Sequence, residues 1–517
     1  MFRKSNGSPT QDIFGDYRSI YTNRTYTDKL FDSKAWHNLY YHDVYQQIDE
    51  TLFAALFSQK EMGAPNAPIA RLVSMNVIKE MLNISDEKLY ELFQLHPQYR
   101  IAIGIMNMND PIPALSTYYL FRKNLSEYDA HSGKESLWET CFQNITRNQV
   151  QKYKVAGEHI RMDSKLIGSQ ISWDSRYVLI HKTVAKFWKQ LSSVERQKAS
   201  PEDLQYLTLL FKEKPDHITY TEKPEQVHQR LVHLGEVMVR LLDIYGKDQG
   251  GHYLLLKRLF EEQYIIATDS KIELRPKEQV RSDSLQSPHD PDCSYRSKGD
   301  QSSKGYVINA AETCSDDGLQ LNSSVQCAPN IRSDSSFVPE AIDKSEAVLG
   351  TAIKELITDG AYHSPGNDSY AEEHGELDLV YTGIQGQEPR FELIKEGDGL
   401  LAKDRRSGSV YPCFPVRKNK GRIKGEKRWR CIVDGKRYYF NEKAVEASCQ
   451  RLKLAARSKE ELQRRNNVEA LMYLFGLRLW KNKIRYRGLF RAIAWSFCRA
   501  LAINLNRIEG YLRLAAS

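Results

Sequence analysis

The sequence predicts an α/β protein: a mixed sheet with flanking helices, interrupted by insertions, behind an all-helical N-terminal domain. Three observations carry that prediction. Apolar residues before Lys154 recur at helical spacing. Strand-like and helical runs then alternate between His159 and Thr382, the pattern of a sheet covered by helices. At 517 residues and roughly 100–200 residues per domain, the chain has room for two to four domains.

Residues 1–35 are polar and read as a flexible arm. Residues 36–155 form the helical domain: Ile69, Leu72, Val73, Val77 and Met81 fall on one helix face. Asn83 to Asp86 breaks the pattern with Ser85 as a cap, and Leu89, Leu92 and Phe93 begin a second helix. After Pro111 and Pro113, Ser116 can cap a third that carries Leu120, Phe121 and Leu125. Short helices with tight turns suit a packing or dimerisation module or a helix-turn-helix-like DNA reader, and periodicity does not separate the two.

Residues 156–400 read as the first part of the sheet domain. It opens at His159-Ile160-Arg161-Met162-Asp163, a strand ending in an acid. A helical insertion spans about 182–275, where Val227, Leu231, Leu234, Met238, Leu241 and Tyr245 form a heptad seam behind Pro224. At about five turns the seam suits an intramolecular helix hairpin. Pro276 to Lys304 is a polar connection. Gly305–Thr313 and Leu319–Val325 read as strands joined by a turn at 315–318. A helix at 341–356, a strand ending at Asp359, a helix opened by Ser364-Pro365 and a strand at 377–382 follow. Residues 401–445 read as a basic, strand-rich insertion, and 446–517 as C-terminal helices completing the core.

The net charge of +8 is unevenly spread. From Leu401 onward there are 29 Lys and Arg against 9 Asp and Glu, a net +20, which leaves −12 on the first 400 residues. A polyanionic partner should meet the C-terminal part first. Met1 to Tyr17 has no apolar run, and Ala492 to Leu505 is interrupted by Arg499 and too short for a bilayer, so the expectation is a cytoplasmic protein without a membrane partner. The eight Cys include no CxxC pair, and the isolated thiols Cys413 and Cys431 specify no zinc site.

Three acids stand where this layout can gather them: Asp163, Asp359 and Glu469. Neighbouring strand ends of an open α/β sheet form a ligand-binding edge. Carboxylates there can hold hard divalent ions that activate a hydroxyl and stabilise the leaving oxygen of a phosphodiester. Asp359 sits in Thr358-Asp359-Gly360-Ala361-Tyr362-His363-Ser364, strand, acid, turn and cap in succession. Arg465 and Glu469 are four apart and share a helix face beside the apolar Val468, Leu471, Met472, Phe475 and Leu479. Taken alone, that pair also reads as a surface ion pair.

In Ile160-Arg161-Met162-Asp163-Ser164-Lys165, Ser287-Pro288-His289-Asp290-Pro291-Asp292, Lys304-Gly305-Tyr306, Asp359-Gly360-Ala361-Tyr362 and Arg465-Asn466-Asn467-Val468-Glu469, the chain resembles the DDE transposases of bacterial insertion sequences. The likeness continues through Tyr486-Arg487-Gly488-Leu489 and Ala502-Ile503-Asn504-Leu505-Asn506-Arg507, and it spans about Asn66 to Arg507. It implies a ribonuclease-H-like catalytic core and a transposase that cleaves DNA at element ends and transfers the strand into target DNA. It also implies Asp163, Asp359 and Glu469 as ligands of Mg2+, with Mn2+ as a substitute, and Arg465 as a phosphate contact. The partners it implies are double-stranded DNA, as terminal inverted repeats and as target, with a dimer or higher oligomer on DNA in a bacterial cytoplasm. Relatives carry a Tyr three residues before that Arg and a Lys seven after the Glu, where this chain has Leu462 and Gly476. Two alternatives therefore stay open: a metal-dependent nuclease without strand transfer, and an inactive DNA-binding protein.

The segment from Arg405 to Arg437 interleaves Arg417, Lys418, Lys420, Arg422, Lys424, Lys427, Arg428 and Arg430 with Trp429, Tyr438 and Tyr439. Such a run can grip phosphates and stack exposed bases. Arg487 in the closing motif joins this candidate DNA-binding set. Glu312 reads as structural.

Overall fold

A computed structural model describes residues 2, 4, 24–58, 65–133, 135–246, 250–268, 271–298, 301–314, 318–383, 388–397, 399–416, 427–458 and 466–515. Within the expected arm, Arg24–Leu30 is a helix instead, because Leu30 packs on Ile101 and its carbonyl accepts from His37 Nε2 at 2.6 Å. The helices Trp36–Asp43, Ile69–Leu82, Asp86–Leu95, Pro97–Ala102, Leu115–His131 and Leu137–Tyr153 make the N-terminal domain. Ser85 caps the third of these, accepting from Lys88 N at 3.2 Å. Helix 115–131 starts one residue earlier than expected, at Ala114, and its Leu120 faces solvent while Phe121 and Leu125 are buried.

Helix 69–82 is buried on nearly every side, as a helix in the middle of a core must be. Its partner is the 26-residue C-terminal helix Leu489–Leu514, whose Ala492, Trp495, Cys498, Leu501 and Leu505 share one apolar core with Leu72, Val73, Val77 and Phe142. The helical domain is thus closed by residues about 400 positions downstream.

The main sheet comprises β1 (His159–Gly168), β4 (Ser294–Lys298), β5 (Gln301–Thr313), β6 (Asn322–Pro329), β7 (Glu355–Thr358) and β8 (Asp378–Tyr381). β5 lies antiparallel to β1, and β7 and β8 run parallel to it on the other side. β4 and β6 share the outer edge of β5, β4 pairing residues 301–305 and β6 residues 306–312. Where β5 crosses β1 most closely, Gly305 is required: a Cβ there would stand 2.1 Å from the Ile167 carbonyl oxygen. One sheet face, with Ile167, Tyr306, Ile308 and Ala310, is covered by the helix Asn466–Gly476 and the C-terminal helix. The opposite face, with Ile160, Met162 and Ala311, is covered by helix Val338–Leu349.

The expected helical insertion is observed as helices between Arg176 and Gln263 with a hairpin of β2 (Tyr264–Ile266) and β3 (Ile272–Leu274). Helix Pro224–Ile244 buries Leu231, Leu234, Met238 and Leu241 against helices 176–190 and 251–263, so the heptad seam is spent inside the chain. A second sheet runs as an antiparallel meander through β9 (Phe391–Glu396), β10 (Gly399–Asp404), β11 (Val410–Pro415), β12 (Arg428–Val433) and β13 (Lys436–Asn441). It begins earlier than the expected 401. Helix Glu442–Ala455 packs on it through Val445 and Ser448, so this helix closes the insertion and not the main core. No helix among the described residues is long and apolar enough to cross a membrane.

Candidate active site

Asp163 lies within β1, which continues to Gly168, whereas the sequence placed it at a strand end. The difference arises because β1 has two partners. Its parallel pairing with β7 covers only His159–Glu355, Ile160–Leu356 and Arg161–Ile357, while β5 holds the strand on to Gly168. Asp163 and Asp359 each stand two residues past the Arg161–Ile357 pair. They therefore leave adjacent parallel chains at one level, where strands are about 4.8 Å apart. Asp359 is fixed by the turn that follows it: its carboxylate accepts from Ala361 N at 2.8 Å.

On β1, Arg161, Asp163, Lys165 and Ile167 alternate onto one face. That is the face on which helix 466–476 lies, with Val468, Leu471, Met472 and Phe475 in the core. Glu469, in the first turn of that helix, is exposed. Among the described residues no group of three or more His, Cys, Asp or Glu side chains is gathered tightly enough to hold a metal ion. Asp163 and Asp359 form a pair at the sheet, and Glu469 stands off it. A pair of carboxylates fits Mg2+, which takes one or two and completes its shell with water and phosphate oxygen.

The surroundings of the pair are strongly polar. Tyr362, buried on the opposite face, donates to Asn309 Oδ1 at 2.7 Å. Burial first, then the charges of Asp163, Asp334 and Asp359, hold its pKa well above the ordinary phenol value. Asp334, 6% exposed, accepts from Ser164 Oγ at 3.0 Å and from Arg296 at 3.1 Å. Burial lowers the pKa of Lys165 and the charge of Asp163 opposes that shift. Lys165 also fills the space beside Gly476, where a Cβ would meet its Cε at 2.7 Å.

Arg465 and the run Arg417, Lys418, Lys420, Arg422 and Lys424 lie outside the described residues. Arg428 and Arg430 are on β12. Arg430 stands in register between Phe414 of β11 and Tyr439 of β13, both more than half exposed, on the sheet face away from helix 442–455. Arg487 is exposed and donates from Nε to the Gln170 carbonyl at 2.7 Å. Glu312 is fully buried between Arg161, at 2.6 Å, and Arg507. It holds β5 and the C-terminal helix together, as its structural reading requires.

Two links tie the N-terminal helices to this site. Arg499, 4% exposed on the C-terminal helix, donates to Glu80 O at 2.7 Å, Leu474 O at 2.8 Å and Leu477 O at 2.7 Å. Lys79 Nζ donates to the Tyr486 hydroxyl at 2.6 Å, beside the buried Glu80. Burial, partly offset by Lys79, raises the Glu80 pKa.

Residues 31–124, the helices held by these links, match the family model described as Transposase domain (DUF772). The chain carries a transposase domain. The match supports a transposase of an insertion element. No curated protein and no solved structure matches the chain. The transposase domain reaches the acidic pair through a shared helix, not through its own residues.

Sequence reasoning missed Asp334 and the basic residues near the pair. Ser333-Asp334-Ser335-Ser336 looks like any polar turn, and nothing local marks it as a neighbour of Ser164. Lys165 carried a usable signal, standing two residues from Asp163 and therefore on the same strand face.

Proposed function

We propose that the chain is a DDE-type transposase with a ribonuclease-H-like core, which cleaves DNA at the ends of an insertion element and joins the freed strand to target DNA. The observation that carries this is the register of Asp163 and Asp359 on adjacent parallel strands beneath the helix of Glu469. An antiparallel β5 on one side of β1 and parallel β7 and β8 on the other support the fold assignment. The transposase-domain match at residues 31–124 supports DNA as the substrate.

In this reading Asp163 and Asp359 would hold Mg2+, which when bound supplies positive charge to the phosphodiester and an acidified water. Glu469 approaches the pair from the overlying helix. Lys165, beside Asp163 and at the level of Gly476, places an ammonium where negative charge grows on the phosphoryl oxygens during displacement. It stands at the place where relatives bring a Lys from the helix. The exposed Phe414, Arg430 and Tyr439 hold DNA by phosphate contact and stacking.

The deciding assay uses labelled DNA bearing the repeats that flank the coding region, incubated with Mg2+. Joined products establish the transposase. Cleavage without joining establishes a nuclease, and binding without either an inactive DNA-binding protein.

A further inference from the structure

Beyond the acidic pair, the second half of β1 borders a cavity of about 480 Å³. Its walls bring together Lys165 of β1, Trp173 of the following loop, Arg296 of β4, Lys304 of β5, and Lys481 and Lys483 of the loop after Gly476. The sole carboxylate among the described lining residues is Asp334, which already accepts from Ser164 and Arg296. Lys165, Lys304, Lys481 and Lys483 form no salt bridge among the described residues. Asp174, the acid nearest Lys304, is paired with Lys182 at 2.8 Å. Burial lowers the pKa of Lys304, Asp174 partly restores it, and Lys483 lowers it further. Crowded, partly desolvated cations of this kind are relieved by an anion.

The loop carrying two of these cations is built with some strain. Arg478, Lys481 and Asn482 all take positive φ, at 66°, 52° and 55°, a conformation that costs a residue with a Cβ about 1 kcal/mol or more. Asn482 Nδ2 donates to Leu166 O at 2.6 Å, Ile484 N to Gly168 O at 2.9 Å, and Lys483 Nζ to Ile171 O at 2.7 Å. These bonds pin the loop to β1 and keep Lys483 at the cavity. Trp173 is 54% exposed. Lys304 Nζ lies 5.0 Å from its ring centroid and Tyr295 meets the ring edge-on at 6.4 Å. An indole held in place by a cation and an edge, with much of its surface still open, is a platform for a flat ring.

We infer that this cavity binds one unpaired nucleotide of a DNA strand, its phosphate among Lys165, Lys304 and Lys483 and its base on Trp173. The inference rests on the DNA reading given above and adds to it a strand conformation and a set of contacts. A paired base presents no free face to an indole, so the cavity selects a nucleotide that has left the helix.

The test uses the full chain without divalent metal, so that binding is read apart from cleavage. Fluorescence anisotropy compares a labelled duplex containing a single unpaired thymidine with the same duplex fully paired, and thymidine 3′,5′-bisphosphate is added as competitor. Tighter binding of the bulged duplex by roughly ten-fold or more is expected. Trp173→Ala and Lys304→Ala should each abolish that preference while paired-duplex binding persists, and Trp173→Phe should retain it. Persistence in Trp173→Ala at normal far-UV circular dichroism overturns the assignment. So does tight bisphosphate binding that leaves both duplexes undisturbed, which would make this a free-nucleotide site. Cleavage with Mg2+ is scored separately. Normal cleavage with no bulge preference sinks the cavity alone, whereas the preference without cleavage sinks the transposase reading alone.

Discussion

Arg499 offers the sharpest test of how the site is held. Its guanidinium satisfies carbonyls at the C-terminal ends of two helices, 69–82 in the transposase domain and 466–476 above the acidic pair. Among the described residues, Glu80 O and Leu477 O have no other donor. Arg499→Met keeps the volume of the stem and removes the donors. Each buried carbonyl left unpaired costs about 1–3 kcal/mol, giving about 2–6 kcal/mol for two. The desolvation of the guanidinium, visible in a pKa that burial pulls down to about 10, is no longer incurred. A net loss of about 3 kcal/mol is expected, about a 150-fold change in the opening equilibrium. Amide hydrogen exchange is the assay. Amides in the last turns of helices 69–82 and 466–476 should exchange about two orders of magnitude faster, while those of the β9–β13 sheet stay unchanged. Unchanged protection in helix 466–476 would refute the claim that Arg499 anchors the helix of Glu469.

Further outcomes follow from the same geometry. Asp359→Ala should abolish cleavage of element-end DNA and leave its binding intact in a gel-shift assay; cleavage by this variant would remove Asp359 from the site. Gly476→Ala places a methyl against Lys165, so cleavage should slow several-fold while the urea midpoint moves by less than about 1 kcal/mol in stability. Arg430→Ala should reduce the slope of log affinity against log salt for duplex DNA by about 1; an unchanged slope would mean that Arg430 touches no phosphate. Burial of Glu340 would raise its pKa, but Lys344 and Arg332 hold its carboxyl down at about 2. A depressed carboxylate pKa stabilises the fold above the unfolded value of 4.5, and that contribution is lost as pH falls from 4.5 towards 2. Urea midpoints should accordingly decline less steeply over this window in Glu340→Gln.

Local signals in the sequence located most strands and helices, and missed the partners that complete them. The caps at Ser85 and Ser364 and the apolar periods at 69–81 and 227–245 stand where they were read, since each is a matter of neighbouring residues. Asp163 was found but put at the end of its strand. A strand with different partners on its two edges has two ends, and only pairing across the sheet distinguishes them. The level of Asp163 with Asp359 was equally invisible, because register depends on residues 196 positions apart. Helix 442–455 was assigned to the core because its amphipathic face is legible and the identity of what covers it is not. The cationic cavity draws on β1, β4, β5 and a loop near residue 481, separated by long stretches of chain, so no window of sequence contains it.

The closure of the transposase domain by helix 489–514 also sets a clock. Synthesis proceeds at about 5–20 residues per second, so the helices around residue 72 wait about 20–80 s for the segment that buries them. Throughout that interval Leu72, Val73, Val77 and Phe142 lack their apolar cover. The helix of Glu469 likewise has no Arg499 to fasten it. The emerging polypeptide is consequently sticky and uncommitted for most of its time on the ribosome, and its cutting centre is assembled in the last seconds. A chain stopped short of residue 489 would be a ward of chaperones and proteases, not a partly working enzyme.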